Sequence, residues 1–267
     1  AAYEIFQTAI LIHDDLIDKS KVRRGVPSVY ASLGGDHFAV SQAICLGDAG
    51  NFLAVRLISE TGFDCRLKEK VIRLMLKVMH DTTLGQMLDI EGAKDRKRLT
   101  EIDILDIYYH KTANYSFIGP LQIGALLGGF DKIYLDKLEK IGKYLGIAYQ
   151  IQDDLWVAGG ENEVLGKLVQ PDIIEGKATL IYHYAYKSSG KKNRQFLDKY
   201  YGNVKITAGQ IKAIKNIFIS TGAVDYSRNK IKEYLNIAYK EIDNLPVRTE
   251  VKKLLIQFTE YILERKR

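Results

Sequence analysis

The stretch ILIHDDLIDKSKVRRG, residues 10–25, begins as an apolar helix and then sets three carboxylates, Asp14, Asp15 and Asp18, ahead of two arginines, Arg23 and Arg24. On a helix Asp14 and Asp18 lie one turn apart on the same face, with Asp15 three residues before Asp18. Three such charges near a helix C-terminus oppose the macrodipole, which favours cations there. The arrangement costs stability unless a cation compensates. Hard oxygen donors with no Cys and no second nearby His favour Mg2+, which takes one or two carboxylates and fills its octahedron with waters and phosphate oxygens. A diphosphate is then the natural bridging ligand.

For one Asp pair alone, solvation or pairing with Lys19 and Lys21 would explain the charge equally well. The chain repeats the pattern, however. LIHDDLID at 11–18 returns in form as YQIQDDLWV at 149–157, where Asp153 and Asp154 end a second apolar helix that is again followed by a basic, Gly-containing loop. Such a repetition suits a two-sided site.

Around these two segments the pattern is helical. Ile5, Ala9, Ile12 and Leu16 form one stripe over residues 1–18, and apolar residues keep helical spacing through most of the 267 residues, with only four prolines. Helices are predicted over 36–60, 67–91, 100–118, 120–129 and 131–156, with a break at Gly119 and Pro120. The stretch KSKVRRGVPSVYASLGGD reads as a polar loop, and 178–267 as helices joined by short turns. The fold class is all-α, in a single domain over 1–267 with no linker. The helical pattern already runs at residue 1, so further N-terminal helices are expected upstream. No apolar run approaches the ~20 residues of a membrane span, so no integral membrane segment is expected. Cys45 and Cys65 have no metal-type spacing and fit a reducing, cytoplasmic setting. The net charge of +6 comes from scattered lysines without an aromatic-interleaved basic stripe. That favours a phosphorylated small molecule over nucleic acid.

Other residues invite a role. Lys111 with Thr112 lies inside the apolar stretch DIYYHKTANYSF, where a lysine must snorkel or find an anion. Lys167 and Lys177 flank the Gly-containing loop after the second Asp pair. His13 reads as a hydrogen-bonded neighbour of the Asp pair rather than a ligand.

Taken in order, DDLIDKSKVRRG, GQMLDIEG at 85–92, KTANYSFIGPLQIGALLGG at 111–129 and the 149–180 segment with DDLW and EGKATL resemble the trans-isoprenyl diphosphate synthases, the polyprenyl synthetase family. The likeness is closer to bacterial farnesyl and geranylgeranyl diphosphate synthases, whose second motif lacks a third Asp. The resemblance implies a bundle of antiparallel helices around a deep central cavity, usually as a homodimer. It implies Mg2+ held by Asp14, Asp15 and Asp18 from one helix and by Asp153 with Asp154 from the opposing one. It further implies that Arg23, Lys111, Lys167 and Lys177 contact an allylic diphosphate and that Arg24 faces isopentenyl diphosphate, with Thr112 and Gln150 lining the reacting region. Two departures stand out. Val157 occupies the place of the last Asp of the second motif, and the family's upstream Gly-Gly-Lys segment is not in this sequence. A class I terpene cyclase and an accessory subunit of a heteromeric synthase are the alternatives.

The activity implied is condensation of the two diphosphates to an all-trans prenyl diphosphate. The helix before Asp14 then walls the tunnel for the growing chain, and one helical turn, about 5 Å of rise, is comparable to one isoprene unit. Ala9 and Ile10 leave the first level below the metals partly open, and Phe6 closes the next, which predicts a product near geranylgeranyl length, with farnesyl and longer products as the competitors. Phe6→Ala should lengthen the product in a chromatographic assay, and an unchanged chain length would remove Phe6 as the tunnel floor.

Overall fold

The computed structural model describes residues 1–159 and 171–264. The chain is almost wholly helical and divides into two compact units, 1–77 and 78–267, the division falling within one long helix.

The first unit starts with α1 (Ala2–Ile17). A two-stranded antiparallel hairpin follows, β1 (Val22–Arg23) and β2 (Val26–Pro27), with Val22 opposite Pro27 and Arg23 opposite Val26. The polar loop expected here is therefore ordered. Its turn, Arg24–Gly25, has φ of 53° and 81°, the left-handed pair that matches the twist of a two-residue hairpin and that glycine adopts without strain. A short α2 (Val29–Ser32) leads to α3 (His37–Ser59), which is capped by Asp36 accepting from the Ala39 N–H at 2.9 Å. The helices α1 and α3 pack closely because small residues face one another: a Cβ on Gly50 would stand 2.9 Å from the Ala9 Cβ. The remainder of this unit is the first part of α4 (Cys65–Asp95). By length and composition α3 is apolar enough to cross a membrane, which corrects the expectation that no segment reaches that length. The glycines at 47 and 50 and Asp48 had masked it in the sequence.

The second unit contains the rest of α4, α5 (Glu101–Tyr108), a π-helix (Tyr109–Ile118), α6 (Gly119–Leu127), α7 (Lys132–Gly159) and α8 (Pro171–Glu175). After these come α9 (Leu180–Ser188), α10 (Lys191–Tyr200), α11 (Ala208–Ser220), α12 (Ala223–Asp243) and α13 (Thr249–Glu264). Helix starts are written locally. Thr100 and Asp103 form a reciprocal capping box on α5, Thr207 and Gln210 another on α11, and Thr179 caps α9. The axis of the unit is α7, which packs on the π-helix and on α12. Ile104, Ile147, Ile151, Leu180, Tyr182 and Phe218 make the larger core, and Phe117, Ile141, Leu145 and Ile242 a second one.

The break expected at Gly119 and Pro120 takes a different form. The helical run continues from 101 to 127 and changes type instead, with Pro120, which lacks an N–H, in the first turn of α6 where no donor is required. A π-helix is wider than an α-helix, and its neighbours make room. A Cβ on Gly85 of α4 would lie 2.3 Å from the Lys111 backbone nitrogen, and one on Gly146 of α7 would lie 2.4 Å from the Cα and Cβ of Ala113. Gly146→Ala should therefore destabilise the protein by about 1–3 kcal/mol, read from urea unfolding. An unchanged midpoint would show that the two backbones need not approach so closely.

Candidate active site

In the first unit the acidic motif closes on itself. The last turn of α1 carries no basic residue, and the hairpin supplies the missing cation by folding Arg23 back. Arg23 Nε donates to Asp15 Oδ1 at 2.9 Å and its Nη2 to Asp14 Oδ2 at 2.9 Å. Nη2 also lies 2.6 Å from Asp15. Asp15 is buried, 4% exposed. Burial pushes its carboxyl above the usual range, Arg23 draws it back, and the charges of Asp14 and Asp18 add to the rise. Burial also opposes the charge of Arg23, but Asp15 and Asp14 outweigh it and raise the guanidinium above its ordinary value. One cation thus serves two of three adjacent carboxylates.

Other predicted residues of this unit lie elsewhere. Arg24 sits exposed at the hairpin tip. Phe6 and Ala9 are buried, Phe6 edge-on to Tyr3 with ring centres 5.6 Å apart, and Ile10 is half-buried. His13 reaches across to α3, its Nε2 3.2 Å from the Ile44 carbonyl and 3.5 Å from Asp48. Gly47 permits this, since a Cβ there would fall 2.2 Å from the His13 ring.

In the second unit Lys111, from the π-helix, donates to Asp89 Oδ2 at 2.6 Å, and Lys177 donates to the same oxygen at 2.9 Å. Glu175 lies 3.4 Å from Lys177. Burial would raise Asp89, but the two lysines overcome it and hold the carboxyl below its usual range. Lys177 is set by its backbone. Gly176 takes the left-handed φ of 74°, Gly202 N–H donates to Ile173 O at 2.8 Å, and the Tyr201 hydroxyl donates to Lys177 O at 2.8 Å. Arg96 clamps this corner, donating to the Tyr201 carbonyl at 2.7 Å and lying over the rings of Tyr182 and Tyr201.

Thr112, next to Lys111, donates to Gln150 Oε1 at 2.6 Å, and Gln150 Nε2 donates to Asp154 Oδ1 at 2.9 Å. The other oxygen of Asp154 accepts from the Tyr108 hydroxyl. Burial and the nearby charge of Asp172 push the Asp154 carboxyl well above the usual range. Asp153, one residue earlier on α7, is half-buried. The structure thus separates two residues that the sequence treats alike: Asp154 is buried with both oxygens bonded within the unit, while Asp153 is the more exposed of the two. Lys167, Glu161 and the Val157 side chain lie outside the described residues.

Asp89 and Tyr108 were missing from the sequence-derived set. Asp89 stood in the quoted GQMLDIEG segment without a role, and nothing in the pattern of an aromatic residue on an apolar helix singled out Tyr108. Among the described residues no group of three or more His, Cys, Asp or Glu side chains converges as a ready-made metal cage. The donor chemistry nevertheless suits Mg2+. Asp14, Asp15 and Asp18 are hard oxygen donors, and Mg2+ completes its shell with water and phosphate.

Comparison with known proteins agrees. The polyprenyl synthetase family model matches residues 1–218. The chain is 30% identical over 264 residues to a geranylgeranyl diphosphate synthase of Methanosarcina mazei, covering 99% of this chain and 77% of that protein. It is also 30% identical over 271 residues to a geranylfarnesyl diphosphate synthase of Aeropyrum pernix, covering 99% and 81%. Among solved structures, a geranylgeranyl pyrophosphate synthase of Corynebacterium glutamicum, crystallised with isoprenyl diphosphate and magnesium, superposes with a TM-score of 0.91 at 26% identity, covering 99% of this chain and 78% of that one. The bacterial leaning inferred from the second motif is corrected, since these relatives of Methanosarcina mazei and Aeropyrum pernix are archaeal; a missing third Asp is too small a feature to sort the lineages. With its ordered motifs, helical architecture and matched length, the chain belongs to the polyprenyl synthetase family and is a trans-prenyltransferase.

Proposed function

We propose that this protein condenses an allylic diphosphate with isopentenyl diphosphate, using Mg2+, and releases an all-trans prenyl diphosphate of about twenty carbons. The observation that carries this reading is the pairing of fixed cations with buried carboxylates in both units: Arg23 across Asp14 and Asp15, and Lys111 with Lys177 on Asp89. Relatives named for geranylgeranyl and geranylfarnesyl products support the chain length.

The chemistry asks for little else. The allylic C–O bond breaks when the charge gathering on the departing diphosphate is met by positive charge already in place. Arg23, Lys111, Lys177 and, outside the described residues, Lys167 are the groups for that task. Asp14, Asp15, Asp18 and Asp153 would hold the metal, and Asp154 is left out of that set because its oxygens are engaged. Mg2+, when bound, supplies Lewis-acid stabilisation of the leaving group. The electrons of the isopentenyl double bond then form the new C–C bond, and a proton departs to the released diphosphate. Arg24 is assigned to the diphosphate of isopentenyl diphosphate, and Thr112 with Gln150 to the edge of the reacting region. No protein nucleophile is required. The two units act as one domain, and the exposed Phe38, Ile44, Phe52 and Leu53 of α3 suit a second copy of the chain. The free thiols of Cys45 and Cys65 suit the cytoplasm.

Incubation with Mg2+, an allylic primer and labelled isopentenyl diphosphate should give chain extension that chelation by EDTA abolishes. A cyclised hydrocarbon, or no turnover unless another subunit is added, would overturn this reading. Phe6→Ala carries a second readout in this structure: as a buried ring it should cost about 3–5 kcal/mol of stability on removal, in addition to any change of product. Asp89→Asn should lower kcat/KM by at least about tenfold and cost about 2–4 kcal/mol, since two lysines lose their shared partner. The folded pKa of Asp89 is lowered, so its stabilising contribution is present above about pH 4 and fades as the pH falls through the folded value. The stability gap between wild type and Asp89→Asn should therefore narrow in acid, as measured by urea unfolding across pH.

A further inference from the structure

Tyr108 ends α5, three residues before Lys111, and its ring lies in the larger core beside Ile104, Ile147 and Ile151. Its hydroxyl bonds to two other segments. It donates to Asp154 Oδ2 on α7 and accepts from the Leu180 N–H at 2.8 Å, at the start of α9. Leu180 closes the segment that carries Lys177. A phenol has one proton to give, so these two bonds fix the hydroxyl between them.

The bonding has a direction. Leu180 N–H donates to Tyr108, which donates to Asp154; from the other side Thr112 donates to Gln150, which donates to Asp154. Both chains end on one carboxyl. Because Asp154 takes a donor on each oxygen, Gln150 must turn its amide nitrogen toward Asp154 and its carbonyl toward Thr112. The orientation of Thr112 and Gln150 is thereby tied to an atom on a different helix. Tyr108 meets the three segments that hold Lys111 with Thr112, Gln150 with Asp153, and Lys177.

We infer that Tyr108 is a positioning residue for prenyl transfer, which locks Asp154 as an internal anchor and through it sets Gln150 and Thr112 at the reacting centre. This rests on the prenyltransferase reading above. Phe at position 108 would keep the ring and the packing while leaving a buried carboxyl oxygen and a buried N–H without their common partner, so the loss would be polar rather than steric.

The test is a double-mutant cycle on the full chain with Mg2+, an allylic primer and isopentenyl diphosphate. Tyr108→Phe should lower kcat about tenfold, the effect of roughly one hydrogen bond, with KM for isopentenyl diphosphate changed by less than about twofold. In a Gln150→Leu background, where the relay is already cut, the same change should add little. Tyr226→Phe serves as the stability control, because it removes a half-buried phenol's 2.6 Å bond to Glu101 at a place remote in the bonding scheme; it should lower the melting temperature while keeping kcat. The inference is overturned if Tyr108→Phe retains wild-type kcat, if the Tyr108 and Gln150 losses multiply independently, or if Tyr226→Phe loses kcat in the same proportion to its melting temperature. Absence of chain extension by the wild type would instead remove the prenyltransferase reading, and this inference with it.

Discussion

A carboxylate withdrawn from water must be met by a cation or by donors, or it will not stay charged. Each acidic feature of this protein answers that constraint in its own way. Asp14 and Asp15 share Arg23, Asp89 is shared by Lys111 and Lys177, and Asp154 takes hydrogen bonds from Tyr108 and Gln150. The first joins one guanidinium to two carboxylates, and the second joins two ammonium groups to Asp89, with Glu175 3.4 Å from Lys177. The third is neutral donors around a carboxyl whose burial disfavours ionisation.

Packing provides the geometry for these pairings. The π-helix carries Lys111 and Thr112 close to α4 and α7 because Gly85, Gly142 and Gly146 withhold side chains where its backbone bulges. Without that approach Lys111 could not reach Asp89 on α4, nor Thr112 reach Gln150 on α7. Arg96, set against Tyr182 and Tyr201, does the corresponding work for Lys177. Glycines and an arginine therefore decide where Lys111, Thr112 and Lys177 stand.

The helical class and the two Asp pairs were legible because they rest on periodicity and on charge at fixed spacing, and most helix ends fell close to where the pattern put them. The hairpin was not legible: Arg24 takes a left-handed conformation that its residue type does not advertise, and only Gly25 beside it hinted at a turn. The π-helix was hidden too, because its identity depends on glycines in other helices. Asp89 and Tyr108 carried no role in the sequence, since their partners come from segments 22 to 88 residues distant in the chain. Asp153 and Asp154 looked equivalent as neighbours, and only the surrounding fold gives them different surroundings. The length of α3 was read closely from the sequence, and only its overall hydropathy was not.

The two charged pairings differ in how far the chain must travel to make them. Arg23 reaches Asp15 across eight residues, whereas Lys177 reaches Asp89 across 88. A contact of the first kind closes a short loop at little entropic cost, while the second closes a long one. Lys111, 22 residues from Asp89, closes the shorter of the two loops on that carboxyl, so Lys177 adds the more distant half of a pairing that spans the second unit.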